Sequence, residues 1–125
     1  LFRSAYWRSE DYASSGTGAV GCMTHDQGRV RYVNFKHPRG YCDRVAESGP
    51  LWCEADWLTP EAERTERIMM GLRLNEGLEM EGLGLSESAL ADLEKRGWAS
   101  QSSGRLFLTR EGRHFCSEAA LLLMD

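Results

Sequence analysis

The sequence predicts an α+β chain. It places a β-hairpin and a short helix in residues 1–50 and a winged-helix-like accessory domain in residues 51–125. Three observations carry this. Residues 29–35 alternate, with Val30, Tyr32 and Asn34 on one side and Arg31, Val33 and Phe35 on the other, directly after the turn Asp26-Gln27-Gly28. Thr59-Pro60-Glu61 has the make-up of a helix start, and apolar residues follow it at helical spacing. Beyond Gly97, two short strand-like runs flank Ser102-Ser103-Gly104 and lead into a last apolar segment.

Residues 1–20 are polar and rich in Gly and Ser apart from Tyr6, Trp7 and Tyr12. Gly21 to His25 and Arg29 to Phe35 then read as two strands around a glycine-containing turn. His37-Pro38 opens a short helix, since proline suits a first turn whose N–H lacks a partner anyway. Tyr41, Cys42 and Val45 give that helix an apolar stripe, and Gly49-Pro50 ends it. Leu51 to Leu58, with Trp52 and Trp57, reads as a connector.

From Thr59 the N-cap, the proline and the early acids define a helix whose inward face is Ala62, Thr65, Ile68, Met69 and Leu72. Gly71 costs that helix about 1 kcal/mol, which predicts close approach by another backbone. Leu78, Met80, Leu83 and Leu85 form a loop that packs down. Ser86 caps a helix with Ala89, Leu90 and Leu93 inward and Gly97 as its stop. Thr109 caps a final helix that buries Phe115, Ala119, Leu122 and Leu123. Helix, loop, helix, hairpin, helix is the winged-helix order. Its expected core is Ile68, Leu72, Leu90, Leu93, Trp98, Leu106, Leu108, Phe115 and Leu122.

Composition narrows the function. At 125 residues the chain can hold one real core but not a complete (β/α)8 barrel, which needs about 250. The longest apolar run, Ala119 to Met124, is far short of a membrane span. No signal peptide is visible, and a start at Leu1 rather than Met reads as a piece of something longer. Charge is unevenly spread. Residues 1–45 hold seven basic and four acidic residues, a net of +3; residues 46–125 hold eight and fifteen, a net of −7. The acidic half suits nucleic acid poorly. Cys22, Cys42, Cys53 and Cys116 form no CxxC and no compact iron–sulfur run, so they read as reduced thiols of a cytoplasmic protein.

Several motifs weaken on inspection. Gly16-Thr17-Gly18-Ala19-Val20-Gly21 matches GxGxxG, but no apolar strand precedes it and no helix follows, so a tightly packed glycine loop is the better account. Cys22, His25, His37 and Cys42 do not make a known zinc spacing. The helix Glu87 to Arg96 takes the recognition-helix position with a net charge of −1, where DNA readers place basic and amide side chains. His114 reads as a helix residue rather than a base.

Taken together, the residues resemble a family. Tyr6-Trp7-Arg8, Asp11-Tyr12, Gly16-Thr17-Gly18-Ala19 and Asn34-Phe35-Lys36-His37-Pro38 with Tyr41 look like the end of a catalytic barrel. The barrel is that of the oxygen-independent coproporphyrinogen-III-oxidase-like radical-SAM proteins. Leu58-Thr59-Pro60-Glu61, Met70-Gly71-Leu72-Arg73-Leu74 with Glu76-Gly77-Leu78, Gly97-Trp98, and Arg105-Leu106-Phe107-Leu108-Thr109 with Gly112 resemble their C-terminal domain. The first fifty residues are then a hairpin remnant of the barrel.

The resemblance implies a parent that binds a [4Fe–4S] cluster and S-adenosylmethionine. One branch of the family, resembling a coproporphyrinogen dehydrogenase, decarboxylates coproporphyrinogen III oxidatively. The other, which these residues look more like, acts as a haem chaperone. The family's Cys-x3-Cys-x2-Cys run is absent here, so no catalytic residue, metal ligand or cofactor of this stretch is expected, and by itself it should be inactive. Its implied partners are the barrel of the same chain and a tetrapyrrole or haem, with no nucleic acid. The chaperone branch's His-Asn-x-x-Tyr-Trp motif aligns with Phe2-Arg3-Ser4-Ala5-Tyr6-Trp7. Tyr6 and Trp7 match and are the candidate tetrapyrrole contacts. The His and Asn do not match, which removes the obvious axial ligand and predicts weak haemin binding without a sharp Soret shift. Its Gly-x-Gly-x-Gly-Ala-His loop is also altered, with Ser14 for the first Gly and Val20 for the His. Trp52 and Trp57 offer further flat apolar area. The implied role is to cover the barrel's open side and shield a substrate pocket. The rival is a stand-alone winged-helix interaction or DNA-binding regulator.

Overall fold

The computed structural model describes residues 4–125. The chain forms two compact units, Asp11–Thr59 and a second in which the residues up to Glu10 join Pro60–Asp125. This differs from a division at 50/51.

In the first unit, β1 (Val20–His25), β2 (Gly28–Asn34) and β3 (Trp52–Trp57) form an antiparallel sheet in that order. The β1–β2 hairpin is the expected one, and Gly28, at φ +135°, takes the backbone conformation that resumes the strand. The segment 51–58, expected as a connector, instead contains β3. Its pairing with β2 is long-range, and one irregularity in register lies between Val33 and Asn34. The glycine loop before β1 is open rather than tightly packed at Gly16 and Gly18, and the close approach falls instead at Gly21, inside β1. Gly21 lies so close to Tyr12 and Ser14 that a Cβ there would sit 3.0 Å from the Ser14 amide nitrogen. Asn34 is buried; its Nδ2 donates to the Gly16 carbonyl (3.0 Å), and its Oδ1 accepts from the Ser14 hydroxyl (3.0 Å). Helix α2 (Pro38–Ala46) begins at the proline, but its apolar stripe is not buried; Val45 is 52% exposed.

The second unit contains α1 (Ser4–Trp7), α3 (Pro60–Gly71), β4 (Leu78–Glu79), α4 (Glu87–Lys95), β5 (Ala99–Ser102), β6 (Arg105–Leu108), a 3-10 turn at Gly112–Phe115, and α5 (Cys116–Met124). Its core joins Ile68, Leu72, Leu78, Leu83, Leu93, Leu106, Leu108, Ala119, Ala120 and Leu123. Leu90, Trp98 and Leu122 pack only at its margin. Phe115, expected inside, stacks on Trp98 at 4.6 Å with 37% of its surface open. The reason is the 3-10 turn, whose tighter winding rotates Phe115 off the inward face of α5. Met69, also expected inward, is exposed.

Local chemistry explains the element ends. At the end of α4 the Gly97 amide bonds the Glu94 carbonyl (2.9 Å) and the Trp98 amide bonds Leu93 (3.0 Å), with Gly97 at φ +73°. That is a Schellman stop. Ser86 occupies the N-cap, yet its hydroxyl bonds that of Ser88 rather than the helix. Thr109 accepts from the Gly112 amide (3.0 Å) and donates to the Gly97 carbonyl (2.7 Å), so it caps the 3-10 turn before α5. The loop after α3 packs down as expected, and Leu78–Glu79 also pairs with β6, giving the strand order β4-β6-β5. Gly71 does meet a close neighbour. It is the Leu78 side chain, whose Cδ1 would lie 2.5 Å from an added Cβ, rather than a backbone.

Candidate functional site

The two candidate residues of the sequence, Tyr6 and Trp7, lie on α1 in the second unit. Phe2 and Arg3, which stand in place of the motif His and Asn, lie outside the described residues. Trp7 is half-buried and borders three adjoining hollows near the C-terminal end of α3. The largest of these has a volume of about 390 Å³.

Guanidinium groups line the hollows that the indole borders. Arg8, Arg67 and Arg105 line one hollow, and Arg8, Arg73 and Arg113 another; the acids among these linings are Glu76 and Glu79. Arg8 and Glu76 form a forked pair, Nε to Oε1 at 2.7 Å and Nη2 to Oε2 at 3.1 Å. Arg8 holds the Glu76 carboxyl below its ordinary range, chiefly through that hydrogen bond. The other guanidiniums donate to neutral oxygens: Arg73 to the Met69 carbonyl (2.9 Å), Arg105 to Gly77 (3.2 Å) and Arg113 to Asn75 Oδ1 (3.0 Å). Such bonds fix the side chains without cancelling their charge. Cys116 lines the third hollow, and burial pushes its thiol pKa up, against the opposing pull of Arg73 and Arg113.

Trp52 and Trp57 lie in the first unit, apart from Tyr6 and Trp7 in the division of the fold. With His25, Val30, Tyr32 and Ala55 they line an open trough of about 570 Å³. Five positions apart, two strand residues should face opposite ways. Here Asn34 pairs with Trp52 and Val33 with Glu54, so Cys53 is the extra residue of a bulge and both tryptophans share a face. The trough was not legible because alternation assumes an unbroken register. His25 meets Tyr32 through Nε2 and the hydroxyl oxygen at 2.8 Å, and its ring stands at 70° to Trp57.

Among the described residues, no three His, Cys, Asp or Glu side chains come together as a metal site. The four cysteines are free thiols. No helix of the described residues is long and apolar enough to cross a membrane.

Comparison with known proteins supplies the context for these sites. Residues 58–115 match the family model described as the HemN C-terminal domain. The haem chaperone HemW of Bacillus subtilis is 30% identical over 117 residues, covering 86% of this chain and 30% of that protein. HemW of Mycobacterium tuberculosis is 30% identical over 109 residues, covering 86% of this chain and 27% of its own. The chain therefore spans less than a third of the length of these relatives. In fold it is similar to the Escherichia coli coproporphyrinogen III oxidase HemN, a radical SAM enzyme, with a TM-score of 0.62, 19% identity, and coverage of 93% of this chain and 29% of that one.

Proposed function

We propose, for a chain that corresponds to the C-terminal part of a HemN-like radical-SAM protein and carries its HemN C-terminal domain at residues 58–115, that it serves as the non-catalytic cover of a tetrapyrrole pocket. The [4Fe–4S] cluster and S-adenosylmethionine belong, on this reading, to the parent's barrel. The second unit acts as a winged-helix-like accessory domain that shields the pocket from water and positions a large planar substrate or a haem.

The observation that carries this reading is the seating of Trp7. Its indole, half-buried on α1 beside α3, borders open hollows, and on this reading a macrocycle stacks on it there. Tyr6, next on the same turn and 43% exposed, offers a second ring. With the motif histidine replaced, contact would come from stacking rather than from axial ligation. A winged-helix DNA reader fits less well, since Arg96 at the end of α4 is bonded to Asp92 at 3.0 Å on a helix of net negative charge.

Titration of the full chain with haemin and with coproporphyrin tests this. The expected result is saturable binding of both, a haemin spectrum without a sharp Soret shift, and about tenfold weaker affinity in Trp7→Ala, the scale of one lost aromatic stack. Equal affinity in the variant, or no binding by the wild type, contradicts the reading.

A further inference from the structure

The first unit carries rings that tetrapyrrole binding at Trp7 does not use. Strand alternation puts Val30 and Tyr32 of β2 on one face with their partners Trp57 and Ala55 of β3. His25 ends β1 beside the turn Asp26-Gln27 and pairs with Gly28. Trp57 leans over that turn, its ring 3.9 Å from where a Gly28 Cβ would stand. The His25 ring lies 6.0 Å from Trp57 at 70° and 6.2 Å from Tyr32 at 71°, so it stands steeply to both. The 2.8 Å contact between His25 Nε2 and the Tyr32 hydroxyl oxygen ties two of the three rings together.

We infer that this end of the trough is a binding site for a small ligand with a quaternary ammonium head. Aromatic faces attract a cation through their quadrupole, tryptophan most strongly, and rings set at steep angles about one space are the arrangement that holds methylated ammonium groups. Charge agrees. Asp26 is the one acid of the lining, and no Lys or Arg lines it, although residues 11–59 hold five. Among the described residues Asp26 enters no ion pair.

The lining also selects the kind of cation. A primary ammonium or a guanidinium gives up hydrogen bonds to water that ring faces do not replace. The Thr24 hydroxyl already donates to Asp11 at 2.7 Å, and His25 and Tyr32 engage each other. Few polar groups are left for an N–H donor, or for the hydroxyls of a sugar. A quaternary ammonium has no N–H to satisfy. Beyond Tyr32 the small Ala55 and then Trp52, whose ring is 5.5 Å from that of Tyr32, continue the trough and offer flat apolar area to the body of the ligand.

The test is a nitrogen-15 correlation titration of the full chain with choline and with dimethylbutanol, its uncharged carbon isostere, read on the indole N–H signals. Choline is expected to move the Trp57 signal to saturation, to bind about tenfold more tightly than dimethylbutanol, and to leave Trp7 in place. Benzyltrimethylammonium should bind more tightly than tetramethylammonium and move Trp52 as well. Asp26→Asn should weaken choline about threefold and leave dimethylbutanol unchanged. Trp57→Leu keeps apolar bulk without a π face and should erase the difference between the two ligands, read on Trp52. Equal affinity of the wild type for choline and dimethylbutanol overturns the inference without recourse to any variant, as does a Trp57 signal that choline leaves in place. If cellobiose rather than choline moves the Trp52 and Trp57 signals, the trough takes sugar, and the inference is overturned. None of these outcomes bears on the tetrapyrrole reading of Trp7.

Discussion

Asp11 ties the loop before β1 to its outer end, accepting from the Thr24 hydroxyl at 2.7 Å and the Thr24 amide at 2.9 Å. These bonds favour the charged carboxylate, the hydroxyl bond most, and hold its pKa below the ordinary value. A depressed carboxyl contributes stability that is present above the unfolded pKa and lost as pH falls through the folded one. The Thr24 amide resonance is therefore expected to titrate with a midpoint below about 3.9, the ordinary Asp value. In Asp11→Asn that titration should vanish. A midpoint at or above the ordinary value contradicts the assignment. At this scale the sequence revealed residue types but not partners. Trp7 stood out as a large aromatic in a polar stretch with Arg8 beside it, while the other arginines that line the same hollows did not, because they come from positions 67, 73, 105 and 113. Only folding brings such distant side chains to one place.

Elements were more legible where their signals are local. Pro38 and Pro60 open their helices, and Gly97 closes α4 because the Schellman bonds need a residue at positive φ. The turn Ser103-Gly104, at φ +51° and +77°, joins β5 to β6 as the sequence predicts. Pairings over distance were not legible. Neither β3 nor β4 carries a strong strand signature, and each exists because a partner strand supplies its hydrogen bonds. Arg64 escaped notice for the same reason. It donates to the Leu83 carbonyl at 2.6 Å and the Leu123 carbonyl at 3.3 Å, linking α3 to the following loop and to α5.

Gly112 is the element-scale position where the packing is least forgiving. A Cβ there would run into the backbone of Trp98, carbonyl oxygen included, and backbone cannot rotate aside as a side chain can. Gly112→Ala is expected to destabilise the second unit by about 3 kcal/mol, at the upper end of overpacking costs. Urea unfolding followed by far-UV circular dichroism measures this; a midpoint within error of the wild type contradicts it.

For the molecule as a whole, charge separated the basic beginning from the acidic remainder, and the compact units follow that contrast only roughly. Residues 52–57 belong with the first sheet, and α1 belongs with the second unit. The second placement matters most for function, since it seats Trp7 in the same unit as the residues that match the HemN C-terminal domain. A sequence read from end to end assigns the first ten residues to whatever follows them directly. Packing assigns them to α3, some fifty residues on.

The indole N–H signals of Trp7, Trp52, Trp57 and Trp98 provide four separate reporters in one nitrogen-15 correlation spectrum. Coproporphyrin added to the full chain is predicted to shift the Trp7 indole signal progressively to saturation at one equivalent. A Trp7 signal that stays in place while porphyrin binds would contradict the central claim, because the macrocycle would then lie somewhere other than among the arginines at the end of α3.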